Sequence, residues 1–110
     1  MIQNTISKIE ARIKKANSLK DENKKELLIL LSTLKTEVSK LSETHDEQAR
    51  SITGFADVSI HEAIRKEKNP QLLNLSLQGL SASVEGFEDS HPELVDIVNA
   101  TCLTLSNIRI

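Results

Sequence analysis

Three histidines, one cysteine and a scatter of acids are the side chains best suited to metal or nucleophilic chemistry in this 110-residue sequence. His61-Glu62 opens like the zinc-protease motif, in which two His one helical turn apart bind the metal and the Glu acts as base. That chemistry needs a second His at position 65, and Arg65 stands there. His45, Asp46 and Glu47 are consecutive, so a helix fans them apart instead of converging them on one ion. A site built from His45, His61 and His91 would need the fold to gather three distant residues. His91 lies among Glu88, Asp89 and Glu93, acids that a helix N-terminus attracts, so its reading is structural. The sequence contains neither a Gly-rich phosphate loop nor a Gly-x-Ser-x-Gly elbow. These residues predict no catalytic group, no cofactor, no metal and no enzyme.

Whatever these residues do, helices must position them. Apolar residues recur at alternating spacings of four and three in four stretches, the spacing of one narrow stripe along an α-helix. The longest runs Leu27, Leu31, Leu34, Val38, Leu41, then polar His45 and Gln48, then Ile52. The others read Ile2, Ile6, Ile9, Ile13, Ala16; Leu73, Leu77, Leu80, Val84, Phe87; and Leu94, Val98, Thr101, Leu105, Ile108. Each narrow stripe needs another helix to bury it. Polar His45 and Gln48 at seam positions would fix register or oligomer state, or mark where the seam ends.

Composition bounds the rest. With two Phe and no Trp or Tyr, any core is aliphatic. A formal net charge of −2 argues against non-specific binding to nucleic acid or an anionic membrane. The charge is uneven: residues 1–50 carry ten Lys/Arg against eight Asp/Glu, and residues 51–110 carry four against eight. No apolar run approaches the length of a membrane span, and the N-terminus lacks the apolar core of a secretory signal. A lone Cys102 fits a reducing compartment, so the expected location is cytoplasmic.

Local signals divide the chain. Helix one covers 3–16, and Ser18 with Asp21 resembles a capping box that opens helix two. Helix two runs to about 50 without Gly or Pro. Over 51–68 the four-three pattern loses phase near Gly54, which predicts a kink or a short separate helix. Asn69-Pro70 starts helix three over 70–88, with Asn as cap and Pro in the first turn. Gly79 and Gly86 lower helix propensity there and call for a packing reason, such as close approach of a neighbouring backbone. Ser90, His91, Pro92 and Glu93 form the corner before helix four, 92–107, with Ser90 capping and Glu93 reaching back. The tail ends on apolar residues, Ile108 and Ile110, expected to dock.

The segment Phe87-Glu88-Asp89-Ser90-His91-Pro92-Glu93-Leu94, followed by an apolar helix and Leu105-Ser106-Asn107-Ile108-Arg109-Ile110, resembles a small bacterial family, domain of unknown function 4404. The resemblance is most specific over 80–110, with looser heptad similarity over the first 50 residues. Arg109-Ile110 stands where members often end in Gly-Ile. It implies a short helical bacterial protein and supplies no reaction, ligand or catalytic residue.

The expected fold is all-α: antiparallel helical hairpins with coiled-coil-like heptad seams, completed as a bundle by oligomerisation, most simply a homodimer. One helical domain spans 1–110, with a long hairpin over 1–52, the kink over 53–68 and a C-terminal hairpin over 69–110. The expected function is a non-enzymatic structural or interaction module acting through self-assembly or an unidentified partner helix. The alternative is a small nucleic-acid-associated factor using Lys8, Arg12, Lys15 and Lys20 on helix one.

Overall fold

The computed structural model describes residues 2–108 and contains five helices: α1 (Ile2–Lys15), α2 (Asp21–Ser42), α3 (Asp46–Ile64), α4 (Pro70–Ala82) and α5 (Pro92–Ile108). The expected all-helical class holds among the described residues. The docking expected of Ile110 lies outside them, while Ile108 is buried.

The long second helix is two helices. α2 ends at Ser42, and α3 begins at Asp46 after a tight turn in which the Leu41 carbonyl accepts from the Thr44 and His45 amides at 3.1 and 2.7 Å. Ser42, Thr44 and His45 are weak helix formers, and Asp46-Glu47 supply the acids favoured at a new N-terminus. His45 is therefore the cap residue of α3, and both His45 and Gln48 are exposed, outside any seam. Gly54 neither kinks nor ends a helix. It sits inside α3, whose buried stripe is Ala49, Ile52, Ala56, Ser59, Ile60 and Ala63. That stripe keeps helical phase, but small residues carry much of it, while Phe55 and Val58 point outward.

Two expected caps also differ. Ser18 caps nothing; its hydroxyl donates to the Ile64 carbonyl at 2.8 Å, tying the α1–α2 loop to the end of α3, and the N-cap of α2 is Lys20. Ser90 sits one residue too early. The His91 carbonyl accepts the first bond of α5 from the Val95 amide at 3.2 Å, which makes His91 the cap position, with Pro92 next. Asn69 behaves as expected: its side chain accepts from the Leu72 amide at 3.1 Å. α4 stops at Ala82, and a run of turns leads through Gly86, whose φ of +95° favours glycine.

Side-chain bonds fix the arrangement. Gln3 meets Ser39 and Ser7 meets Lys35, so α1 and α2 are antiparallel. Arg12 pairs with Asp57, and with the Ser18–Ile64 bond this lays α1 along α3 in the same sense. α4 folds back on α3, and α5 packs antiparallel to α2, with Thr104 donating to Glu26 at 3.0 Å. α1 touches α2 and α3; α4 touches α3 and α5. α1 and α4 are thus the outer helices.

The stripes close on one another within a single chain. Ile6, Ile9, Ile13, Leu27, Leu31, Leu34, Val38, Leu41, Ile52, Leu80, Leu94, Val98 and Leu105 are all fully buried in one aliphatic cluster. Burying a side chain of this size stabilises the fold by about 1.5–3 kcal/mol. α1, α3 and α5 cover α2 from within, so these stripes need no second copy to bury them. The Cα radius of gyration, 13.0 Å, equals that of a compact monomer of this length.

Candidate functional site

The helix order gives the molecule two chemically distinct ends. One holds the α2–α3 and α4–α5 turns, and the other holds the α1–α2 and α3–α4 loops. At the first end the fold gathers residues far apart in sequence. His45 and Phe87 pack edge to face with ring centroids 5.5 Å apart, Phe87 and His91 do the same at 5.5 Å, and the two His rings lie 6.2 Å apart. Each imidazole shares a hydrogen bond through Nδ1 with the hydroxyl of the preceding residue, Thr44 at 2.8 Å and Ser90 at 3.0 Å. These bonds orient the rings, and the edge-to-face stack pins one turn to the other. Sequence reasoning brings His45 and His91 together only in a three-histidine site with His61. The i, i+4 spacing of Phe87 and His91 was the available signal, and nothing in the sequence linked them to His45.

His61 sits at the far end of α3, exposed, and does not join the other two. Its neighbour Glu62 is buried and bonds Arg65 at 2.8 Å, so the residue replacing the second His of a zinc motif serves as a structural ion partner. Among the described residues no group of three or more His, Cys, Asp and Glu is placed to hold a metal ion. Cys102 is half-buried with Sγ 3.8 Å from the Leu77 carbonyl, and burial raises its thiol above the ordinary value.

The seam residues fall into two groups. Leu27, Leu31, Leu34, Val38, Leu41 and Ile52 lie in the core, and His45 and Gln48 lie on the surface. Of the helix-corner residues, Asn69 caps α4, Pro70 and Pro92 open α4 and α5, His91 occupies the cap of α5, and Ser90 and Glu93 are exposed.

Charge separates the two ends. Glu43, Asp46, Glu47, Glu85, Glu88 and Asp89 cluster around the histidine corner. At the other end Lys14, Lys15, Lys20, Arg65, Lys66 and Lys68 outnumber Asp21, Glu22, Glu62 and Glu67, and an open cleft of about 600 Å³ is lined by Arg12, Lys15 and Lys66. Between the ends, α4 carries no charged residue at all: Asn69 to Val84 contains no Asp, Glu, Lys or Arg in a chain that is 27% charged.

Residues 27–110 match the family described as Domain of unknown function (DUF4404). The chain belongs to that family. The part matched to DUF4404 takes in α3 to α5 with most of α2, including the His45–Phe87–His91 corner; α1 lies outside it. No curated protein and no solved structure matches the chain. No helix among the described residues is long and apolar enough to cross a membrane.

Proposed function

We propose that the protein is a non-enzymatic interaction module that works by self-association or by binding a partner helix, in the cytoplasm. The supporting observation is the distribution of apolar surface. The seams are spent on the core, yet Phe55, Val58, Leu72 and Leu75 remain 41, 49, 42 and 54% exposed on two adjacent helices. Ile29 on α2 and Leu103 on α5 are exposed too, at 68 and 64%, but the four on α3 and α4 form the larger group, and large apolar side chains grouped on a surface mark an interaction site. The His45–Phe87–His91 corner reads as a structural clasp, since its Nδ1 atoms are bonded to hydroxyls and its faces are occupied by one another. The test is the solution mass by light scattering behind a sizing column at micromolar concentration, at pH 8 and pH 6. A mass above one chain supports self-association. One chain at both pH values, with no binding to amphipathic helical peptides, would remove the reading.

A second reading, a nucleic-acid-associated factor, draws on the basic end. The fold adds Arg65, Lys66 and Lys68 to Lys14, Lys15 and Lys20 there. Its signature would be binding to DNA or RNA that falls steeply with salt and depends on Lys14 and Lys15.

A further inference from the structure

The geometry points to a second copy of this chain, docked antiparallel across the outer face of α3 and α4, as the occupant of the exposed apolar surface. This rests on the self-association reading and specifies its face and orientation.

Phe55 and Val58 are three residues apart on α3, and Leu72, Leu75 and Gly79 are three and four apart on α4, so each set shares a helix face. The Phe55 ring reaches across to lie against Gly79, so the two sets adjoin on one surface. The two outer helices differ sharply. α1 presents Lys8, Lys14 and Lys15 to solvent, whereas α4 presents Gln71, Asn74, Gln78 and Ser81 around its leucines. Depletion of charge with retained large apolar groups is the composition of an interface centre.

Charge selects the occupant. A two-fold axis brings the residues at the centre of a face close to their own copies, so a charged centre would repel itself, and α4 has no charge to repel. The flanks are complementary in one orientation only. Arg65 (paired with Glu62), Lys66 and Lys68 precede α4 with one acid, Glu67, among them, and Glu85, Glu88 and Asp89 follow its end, so the first flank is net basic and the second acidic. Antiparallel docking of two α4 helices sets the basic flank of each copy beside the acidic flank of the other; parallel docking sets like charges together. Lys66, Glu85 and Asp89 are exposed and form no ion pair among the described residues, so they are available to a partner.

The test uses the full chain in analytical ultracentrifugation from about 1 to 100 μM, comparing the natural protein with Leu75→Asp, with Lys66→Glu/Lys68→Glu, with Glu85→Lys/Glu88→Lys, and with all four reversals together. Circular dichroism confirms that each variant is folded, which the exposure of these sites favours. The expected result is a dimer in the natural protein and at least about tenfold weaker association for Leu75→Asp. Each charge-reversed pair weakens the dimer, and the fourfold reversal restores it. A dimer unmoved by Leu75→Asp, or a fourfold reversal no better than either pair, would place self-association on another face and overturn this inference alone. A natural protein that stays monomeric throughout would overturn self-association itself.

Discussion

The ring of Phe55 on α3 occupies the space that a β-carbon on Gly79 of α4 would fill. The glycine therefore serves packing between two helices, and the approaching group is an aromatic ring, not the backbone that sequence reasoning favoured. Gly54 offers the contrast: it sits mid-helix with nothing within 4 Å of where its β-carbon would be. Gly54→Ala is expected to stabilise the fold by about 0.5–1 kcal/mol. Gly79→Ala should give no such gain, because the ring must leave. In a Phe55→Ala background Gly79→Ala should recover the gain, and urea denaturation of the double-mutant cycle measures this coupling.

Ser59 is fully buried on α3, and its hydroxyl has no hydrogen-bond partner among the described residues. An unpaired buried hydroxyl costs about 1–3 kcal/mol. Ser59→Ala removes the group with almost no change in volume and improves helix propensity. A rise in denaturation midpoint equivalent to about 1 kcal/mol is expected; a fall would mean the hydroxyl has a partner in solution.

Leu34 lies at the centre of the α2 stripe with no exposed surface. Leu34→Ala should cost about 2–5 kcal/mol in chemical unfolding through lost transfer energy and the cavity left behind. Leu34→Asp should unfold the single chain. Loss of assembly in such a variant would report core collapse, which is why exposed Leu75 is the better probe of association.

The two corner signals separate cleanly by mutation. Asn69→Ala removes the acceptor for the Leu72 amide and should cost about 1 kcal/mol. Ser90→Ala should change stability by less than about 0.5 kcal/mol, since Ser90 is exposed and among the described residues its hydroxyl bonds only the His91 ring. Equal losses in thermal melts of the two variants would restore Ser90 to a capping role.

Burial raises the Cys102 thiol in the folded chain. The folded state thus holds this proton more tightly than the unfolded one. The contribution to stability is full below the unfolded value of about 8.5 and is lost as pH rises through the raised folded value. Labelling with a disulfide reagent at pH 8 should be slower for the folded protein than for the urea-unfolded chain, because the thiolate is the nucleophile.

Large aliphatic residues made much of this fold legible. Leu27 to Leu41, Leu73 to Val84 and Leu94 to Ile108 announce their helices because each stripe is built of side chains that cannot be left in water. α3 escaped because Ala49, Ala56, Ser59 and Ala63 carry much of its inner stripe, while the conspicuous Phe55 and Val58 face out. Its N-terminal boundary was hidden by coincidence. His45, Gln48 and Ile52 continue the α2 spacing across a turn, so the count stayed in register while the chain changed direction. The corner of His45, Phe87 and His91 could not be read locally, since it exists only once two turns distant in sequence are brought together by the packing of α5 on α2.

The meander of helices also sets an order of assembly. Each helix from α1 to α4 packs against the next in sequence, so most of the structure forms from local contacts, the kind that fold fast. Other pairings reach further, α1 with α3 and α5 with α2 chief among them, and the second is the longer, with Thr104 and Glu26 joined across 78 residues. During synthesis α2 emerges early, and the face that α5 will cover must wait until α5 leaves the ribosome. α5 is thus the latch of the fold, and translation that stalls before it leaves the α5-facing side of α2 open to the cell.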